Sequence, residues 1–166
     1  MKFVAGPQKY DVVITEIFGA DCDAVFSHFL QVPLISVIAS ANLPWASDRV
    51  GNPENPSYDT HILLSYAGSM TFPQRLVNFA FHMYSAFTTK YYNAITTELN
   101  RDHFGDRVPN VEKTLQNTSL VFVNSHFTVD TPRAFVPNTV EIGGIHLPPV
   151  KPLPKVNKLP NINYAS

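Results

Sequence analysis

The chain has 166 residues, of which 45% are hydrophobic and 15% are charged, a balance typical of one globular domain with a sizeable core. A formal net charge of −1, with scattered lysines and arginines, excludes a nucleic-acid binder and a polybasic membrane patch. No apolar run reaches the roughly 18 residues of a spanning helix, and the first residues do not resemble a secretory signal peptide.

The first elements in chain order predict a β-α-β unit. Residues 10–15 form a β-branched run of the kind that is buried in a parallel sheet. A short helix is predicted over residues 21–30, with Asp21 placed to cap it. After Pro33, the apolar run over residues 34–38 predicts a second strand, and the crossover between the two strands should be right-handed.

Residues 40–70 predict a long irregular segment, because three prolines and the sequence around Gly51 fit neither a helix nor a central strand. Loops of this length in compact domains usually have a function or form a lid. Two aromatic residues of the loop, Trp45 and Tyr58, have two equally favoured interpretations. They line an apolar pocket, or they anchor the loop to the core.

A long helix is predicted over residues 71–104. Thr71 and Gln74 form a capping-box pattern, and Gly105 is placed to end the helix. Apolar residues recur at spacings of three and four and define one amphipathic face: Phe72, Leu76, Phe79, Met83 and Phe87. Packing of this face in the core is favoured over binding to a membrane or a partner.

The C-terminal part of the chain predicts two more strands and a sharp turn. Short apolar runs over residues 119–124 and 139–142 are typical of buried strands. The second run stops at Gly143 and Gly144, where the backbone can turn sharply or approach a ligand closely because no Cβ restricts it. Since binding crevices of open α/β folds lie at the carboxyl ends of strands, this turn is a candidate site.

Few other residues are candidates for metal binding, catalysis or modification. The six histidines lack the spacing of metal ligands, so each is interpreted as structural and no metal site is predicted. A triad of Ser125, His126 and Asp130 is rejected because neighbours on a strand point to opposite faces. Cys22 is interpreted as a buried apolar residue rather than a reactive thiol. Asn117 begins a glycosylation sequon, which matters only in the secretory pathway.

Glu16 is the residue best placed to assist acid-base chemistry. It follows the first predicted strand, at the edge where an open parallel sheet presents residues to its crevice. A carboxylate there can orient an imidazole and stabilise its charged form. From position alone, a solvated carboxylate at a strand end is the favoured interpretation.

A series of segments resembles the UDP-glycosyltransferase family of glucosyl- and glucuronosyltransferases, in its arthropod type. The segments are YDVVITE (10–16), VPLI (32–35), GNPENPSY (51–58), MTFPQRL (70–76), LVFVNSHF (120–127), PRAFVPN (132–138), EIGGIH (141–146) and KPLPK (151–155). Their unbroken order makes the resemblance specific in a way that no single motif is.

The resemblance implies the later part of the N-terminal lobe of a two-lobed GT-B fold, an α/β, Rossmann-like parallel sheet with flanking helices. In family members that resemble this chain, the N-terminal lobe binds a lipophilic acceptor and the C-terminal lobe binds the UDP-sugar. A histidine deprotonates the acceptor hydroxyl, helped by a carboxylate, and the sugar is transferred with inversion. Glu16 falls where the family places that carboxylate. The resemblance therefore favours a functional group at this position over a solvated carboxylate at a strand end.

The resemblance also implies which parts of the enzyme lie elsewhere. The catalytic histidine is expected upstream of Met1, and the UDP-sugar donor is expected on a C-terminal lobe, so no cofactor is assigned to this chain. Residues 1–155 are predicted to form a partial acceptor lobe, and residues 156–166 a tail or truncated linker that departs from the family. The isolated chain, without these parts, is expected to be inactive.

Five residues are expected to line the acceptor pocket or the cleft between lobes: Trp45, Tyr58, Gly143, Gly144 and His146. The family implies small lipophilic acceptors, a role in detoxification, and a place on the lumenal side of the endoplasmic reticulum membrane, although this chain shows no signal peptide or anchor. The alternative is a non-catalytic lobe that binds apolar ligands or pairs with full-length transferases through its long helix.

Overall fold

A computed structural model describes residues 9–19, 21–66, 68–128 and 130–149 as one parallel four-stranded sheet with helices packed against it. The strands follow chain order in the sheet and are β1 (Val13–Glu16), β2 (Leu34–Ile38), β3 (Thr118–Val123) and β4 (Thr139–Glu141). After a 3-10 turn at Cys22–Ala24, the helices are α1 (Val25–Leu30), α2 (Pro44–Ser47), α3 (Phe72–Phe104) and α4 (Val111–Leu115). The predicted α/β fold with a parallel sheet is confirmed.

The predicted elements differ from the observed ones mainly at their ends. β2 has the predicted bounds, whereas β1 begins at Val13 and includes Glu16, which was predicted to follow it. The predicted helix over residues 21–30 begins as a 3-10 turn, and the Asp21 carboxylate does not cap it, because that carboxylate forms a 2.6 Å ion pair with Arg49. α4 was not predicted, since five residues are too few to show a helical period.

Two further sequence predictions are corrected by the structure. Cys22 is exposed, not buried, because it opens the 3-10 turn on the surface. The segment predicted to be irregular contains the single-turn helix α2, with Pro44 in its first turn. The predicted tail over residues 156–166 lies outside the described residues.

One face of the sheet carries the core. Two buried clusters form it: Ile17, Ile38, Leu43, Ala46, Val121 and Val123, and Ala24, Leu34, Val111 and Leu115. The second cluster brings the 3-10 turn and α4 against Val13 of β1. Because residues two apart on a strand share a face, Leu34, Ser36 and Ile38 of β2 point to this side of the sheet, as do their neighbours Val121 and Val123 of β3.

The other face of the sheet is open in the described part of the chain. We call it the open face, and it consists of Ile14, Glu16, Ile35, Val37, Leu120, Phe122 and Val140. Ile14 is 64% exposed, so the prediction of a buried first strand holds for only one of its two sides. The strands follow chain order, and successive right-handed crossovers in one direction place all the connecting helices on the same face of a sheet. Parallel sheets are normally covered by helices on both faces.

α3 packs against α2 and α4 with its polar side. The helix begins as predicted, with the backbone nitrogen of Thr71 donating to the Gln74 side chain at 2.8 Å, and it ends at Gly105. Its buried residues are polar: Asn78, His82, Ser85, Thr96, Thr97 and Asn100. The prediction that the apolar side packs in the core is therefore wrong. A helical period locates two sides of a helix but does not say which of them packs.

Candidate functional site

A cleft of about 270 Å³ lies where the loop after β1 meets α2 and α3. Four aromatic rings line it, from Phe18, Trp45, Tyr84 and Tyr92, and we call it the aromatic cleft. Its wall also includes hydroxyl and amide side chains from α3: Ser85, Thr88, Thr89, Asn93 and Thr96. An apolar hollow with a few polar groups is the usual form of a small-molecule site.

Trp45 and Tyr58, the two aromatic candidates of the loop, have different surroundings. Trp45 packs against the first core cluster and also lines the aromatic cleft, so one side chain both anchors α2 and presents a ring to the cavity. Tyr58 is 60% exposed and does not line the cleft. The structure therefore does not bring these two rings together in one cavity wall.

A second cleft, of about 230 Å³, lies beside the first between α2, α3 and α4. Its charged residues include the carboxylates of Asp48, Glu54 and Glu112 and the ammonium group of Lys90. Partial burial and the negative charge of Glu54 raise the pKa of Asp48. Within the described ranges, no three histidine, cysteine or acidic side chains lie where they could hold a metal ion.

His61 and His82 lie between the loop and α3, with their rings perpendicular and 5.1 Å apart. The backbone nitrogen of Leu63 donates to Nδ1 of His61 at 3.2 Å, so the proton of this imidazole is assigned to Nε2, which donates to the Ser85 hydroxyl at 2.7 Å. Burial, and next the neighbouring His82, lower the pKa of His61. A fully buried, neutral imidazole that already donates its proton is a structural group rather than a base for a substrate.

Glu16 ends β1 on the open face, at the carboxyl edge of the sheet. It is exposed, and among the described residues its carboxylate makes no hydrogen bond or ion pair. Phe18, two residues further on, belongs to the aromatic cleft, but Glu16 itself does not line that cavity. The carboxylate is therefore close in sequence to the cleft and directed toward the side of the sheet that the described chain leaves uncovered.

The glycine turn after β4 is built against the end of β3. Gly143 donates its backbone N–H to the Ser125 carbonyl at 3.1 Å, and a Cβ at Gly143 would lie only 2.5 Å from that oxygen. Gly144 has φ of +83°, which favours glycine. The Ser125 hydroxyl donates to Glu141 at 3.0 Å, whereas His146 is exposed. The two glycines thus join the ends of two strands and do not line the aromatic cleft.

Asn117, the sequon residue, lies on the surface between α4 and β3. Its neighbour Thr118 is buried, with its hydroxyl donating to the Leu115 carbonyl at 2.6 Å. Glycosylation of Asn117 stays a prediction.

Comparison with known proteins identifies the family. The chain matches the family model for UDP-glucoronosyl and UDP-glucosyl transferase over residues 3–160. The chain belongs to the UDP-glycosyltransferase family. UDP-glucosyltransferase 2 of the insect Dactylopius coccus is 43% identical over 149 residues, which are 89% of this chain and 29% of that protein. UDP-glycosyltransferase UGT5 of the same insect is 33% identical over 152 residues, 89% of this chain and 28% of that protein.

A more distant relative is UDP-glucuronosyltransferase 2B7 of Rattus norvegicus, 28% identical over 153 residues, which are 89% of this chain and 28% of that protein. No solved structure matches the chain. The predicted UDP-glycosyltransferase family and its arthropod type are confirmed. The chain spans less than a third of the length of these relatives.

Three rings that line the aromatic cleft of this UDP-glycosyltransferase family member were not predicted as site residues: Phe18, Tyr84 and Tyr92. The last two had a usable signal, because Tyr84, Thr88 and Tyr92 follow one another at intervals of four residues. Residues spaced in this way stack on one side of a helix. Phe18 follows the end of a strand and belongs to no repeating pattern, so only the fold could place it beside α3.

Proposed function

We propose that the chain supplies the acceptor-binding side of an inverting UDP-glycosyltransferase, which transfers a sugar from a UDP-sugar to a hydroxyl group of small lipophilic compounds. The observation that carries this proposal is the aromatic cleft at the carboxyl end of β1, in a chain of this family. Such a cavity suits a planar, largely apolar acceptor, because rings supply contact area and a few polar groups fix the orientation of the ligand.

In the proposed reaction, the acceptor hydroxyl oxygen attacks the anomeric carbon of the donor sugar. A C–O bond forms, the bond from that carbon to UDP breaks, and the hydroxyl proton passes to a histidine base expected from a part of the longer enzyme. Glu16 is the proposed helper carboxylate that orients this imidazole and stabilises its charge. Its exposed position at the carboxyl edge of the open face supports this role.

The remainder of the longer enzyme is proposed to bring the donor and to cover the open face. The relatives are more than three times as long as the matched segment, and a bare face on a parallel sheet favours a further layer of structure. Without a base, a factor of ~100 to 10,000 in rate is lost, and loss of donor orientation costs about 7–11 kcal/mol. We therefore expect no transfer by the isolated chain. On family resemblance, we also propose that the longer enzyme lies on the lumenal side of the endoplasmic reticulum membrane and acts in detoxification. None of the helices in the described residues combines the length and apolarity of a membrane span.

Acceptor binding can be measured without turnover, because Trp45 is the single tryptophan of the chain and lines the cleft. Titration with a lipophilic phenol such as 1-naphthol should quench the fluorescence of Trp45 in a saturable manner, after correction for absorbance with free tryptophan amide. Replacing a ring of the cleft, Tyr92→Ser, should weaken binding by about tenfold through lost apolar contact.

The matched control is Tyr58→Ser, which removes the same side chain from an exposed position outside the cleft. Equal affinity in the wild type and both variants, or the absence of saturable quenching, would remove the cleft as the acceptor site. Incubation of the purified chain with UDP-glucose and 1-naphthol tests its inactivity separately, and glucoside above a buffer blank would contradict it.

A further inference from the structure

The second cleft, which we call the polar cleft, shares a wall with the aromatic cleft. Three residues line both cavities: Trp45, Thr89 and Asn93. The volumes are about 230 and about 270 Å³. Neither cavity alone reaches the range of roughly 300–1,000 Å³ that is usual for small-molecule sites, whereas the two together do. The adjoining cavities therefore suit one ligand that has two chemically different parts.

The side chains of the polar cleft have unused hydrogen-bonding capacity. Asp48, Lys90, Glu112 and Gln116 line it, and within the described residues their side chains make no hydrogen bond or ion pair. A carboxylate only accepts hydrogen bonds and an ammonium group only donates them, whereas an amide does both. Donors and acceptors thus lie side by side in this wall.

Glu54 is the fixed carboxylate of the polar cleft. Its Oε1 accepts from the Asn42 amide at 3.2 Å and from the Ser47 hydroxyl at 2.9 Å, and its Oε2 lies 3.5 Å from Nδ1 of His82. These three neighbours are buried, so they hold the carboxylate in place. A carboxylate has about four acceptor sites, which leaves capacity for a ligand, and a group already fixed costs little ordering on binding.

The charges of the polar cleft disfavour an anionic ligand. Three carboxylates line it, whereas the ammonium group of Lys90 is the cation without an ion pair among the described residues of its wall. The guanidinium of Arg49, in the same wall, is 2.6 Å from the carboxylate of Asp21 and is neutralised by it. A carboxylate or phosphate of a ligand would therefore meet mainly like charges, which is costly.

A hydroxylated ring matches the polar cleft better than a cation does. An organic ammonium group only donates hydrogen bonds, so it would leave the donors of Lys90 and Gln116 unused. Each hydroxyl both donates and accepts, so a ring with several hydroxyls can bind the carboxylates, the ammonium group and the amides together. The indole of Trp45 adds an apolar surface on which the C–H groups of such a ring can pack.

We propose that the polar cleft binds a neutral, polyhydroxylated ring of the acceptor, such as a sugar that the acceptor already carries, while the aromatic cleft binds the planar apolar part. This inference rests on the proposed function, because it specifies the acceptor class of the same site. The acceptors are then glycosides that keep a further free hydroxyl on their planar part, and Trp45 contacts both parts.

Three matched ligands test the proposal with the purified chain: 1,5-dihydroxynaphthalene, its mono-β-D-glucoside and its mono-β-D-glucuronide. All three keep a naphthalene ring and a free hydroxyl. Isothermal titration calorimetry should show the glucoside binding at least about tenfold more tightly than the diol, the factor that one hydrogen bond to a charged group supplies. The glucuronide, which adds a carboxylate to the same sugar ring, should lose this gain.

Two double variants separate the polar cleft from general surface charge. Asp48→Ala with Glu112→Ala should lower the affinity for the glucoside to that for the diol, and should leave the diol unaffected, since neither residue lines the aromatic cleft. Both side chains lie at the surface, so circular dichroism should show a folded variant. Glu98→Ala with Asp102→Ala removes two exposed carboxylates of α3 that line neither cleft and should retain the preference for the glucoside.

Three results would overturn the inference and leave the proposed function intact, provided that the diol binds and that Tyr92→Ser weakens its binding. The first is equal affinity for the diol and the glucoside. The second is a preference for the glucoside that Asp48→Ala with Glu112→Ala retains. The third is a glucuronide that binds as tightly as the glucoside. A diol that does not bind at all would instead remove the aromatic cleft as the acceptor site, and with it the proposed function.

Discussion

The Nε2 atom of His61 lies 2.7 Å from the Ser85 hydroxyl oxygen, and this bond ties the loop after α2 to α3. Both side chains are buried. Ser85→Ala leaves the buried imidazole N–H without its acceptor, so we expect a loss of about 1–3 kcal/mol in the free energy of unfolding. Urea denaturation measures it. The control is Thr88→Ala, whose hydroxyl donates to the Tyr84 carbonyl of its own helix. Equal loss in the two variants would contradict a special role for the His61 bond.

The buried His61 should also make stability depend on pH. Burial and His82 lower the pKa of the folded imidazole below 6.5, while in the unfolded chain it binds a proton near that value. The unfolded state therefore binds more protons below about pH 6.5, and the free energy of unfolding must fall as the pH falls, until the folded pKa is reached. The slope from this group is at most about 1.4 kcal/mol per pH unit.

The pH series is measured by urea denaturation between about pH 7.5 and 5.5, the range that brackets the ordinary histidine pKa. His61→Gln should flatten the slope whatever its effect on absolute stability, whereas His103→Gln, an exposed position, should leave it unchanged. Glu54 raises and Arg133 lowers the same pKa less strongly, and both are kept in all variants. An unchanged slope in His61→Gln would mean that the imidazole titrates normally in the folded chain.

The glycine turn gives a prediction about close packing. In Gly143→Ala, the new Cβ would lie 2.5 Å from the backbone oxygen of Ser125, which cannot move without distorting the end of β3. We expect this substitution to cost about 1–3 kcal/mol, as overpacking usually does. Gly19→Ala is the control, because no atom lies within 4 Å of its added Cβ. Thermal denaturation that finds both variants equally stable would show that the two strand ends are further apart in solution.

The sequence predicted the strands and the long helix because their signals are local. The run over residues 34–38 is bounded by Pro33 and polar residues, and α3 carries a capping box and a terminal glycine. The packed side of α3 is not a local property. Asn78 packs inward because its partners are backbone groups of Pro56, Asp59 and His61, which belong to a loop without a periodic pattern.

The candidate site could be predicted only in part for a similar reason. Trp45 was recognised because a tryptophan in a long loop needs a partner surface. The cleft that it lines is completed by Tyr84 and Tyr92, whose direction depends on which side of α3 packs. Glu16 was a candidate from its position at the end of a strand, but only the family resemblance favoured a helper carboxylate over a solvated one, since an exposed carboxylate there has no distinguishing local chemistry.

Glu16 provides the decisive test of the proposed mechanism in a longer enzyme that contains this chain. If its carboxylate orients the histidine base, Glu16→Gln should lower kcat by about 100-fold or more while KM for the acceptor changes little, because the carboxylate acts through the imidazole. The acidic limb of the pH–rate profile should move to lower pH, since the imidazolium loses its stabilising charge.

Initial rates of glucose transfer from UDP-glucose to 1-naphthol provide these measurements. Glu16→Asp, which keeps the charge, should recover part of the activity, and Glu98→Gln removes a carboxylate from the exposed surface of α3 as the matched control. Unaltered kcat and an unmoved pH profile in Glu16→Gln would make Glu16 a solvated carboxylate at the end of β1. The helper group would then have to come from elsewhere. The fluorescence titration of Trp45 would still show independently whether the aromatic cleft binds the acceptor.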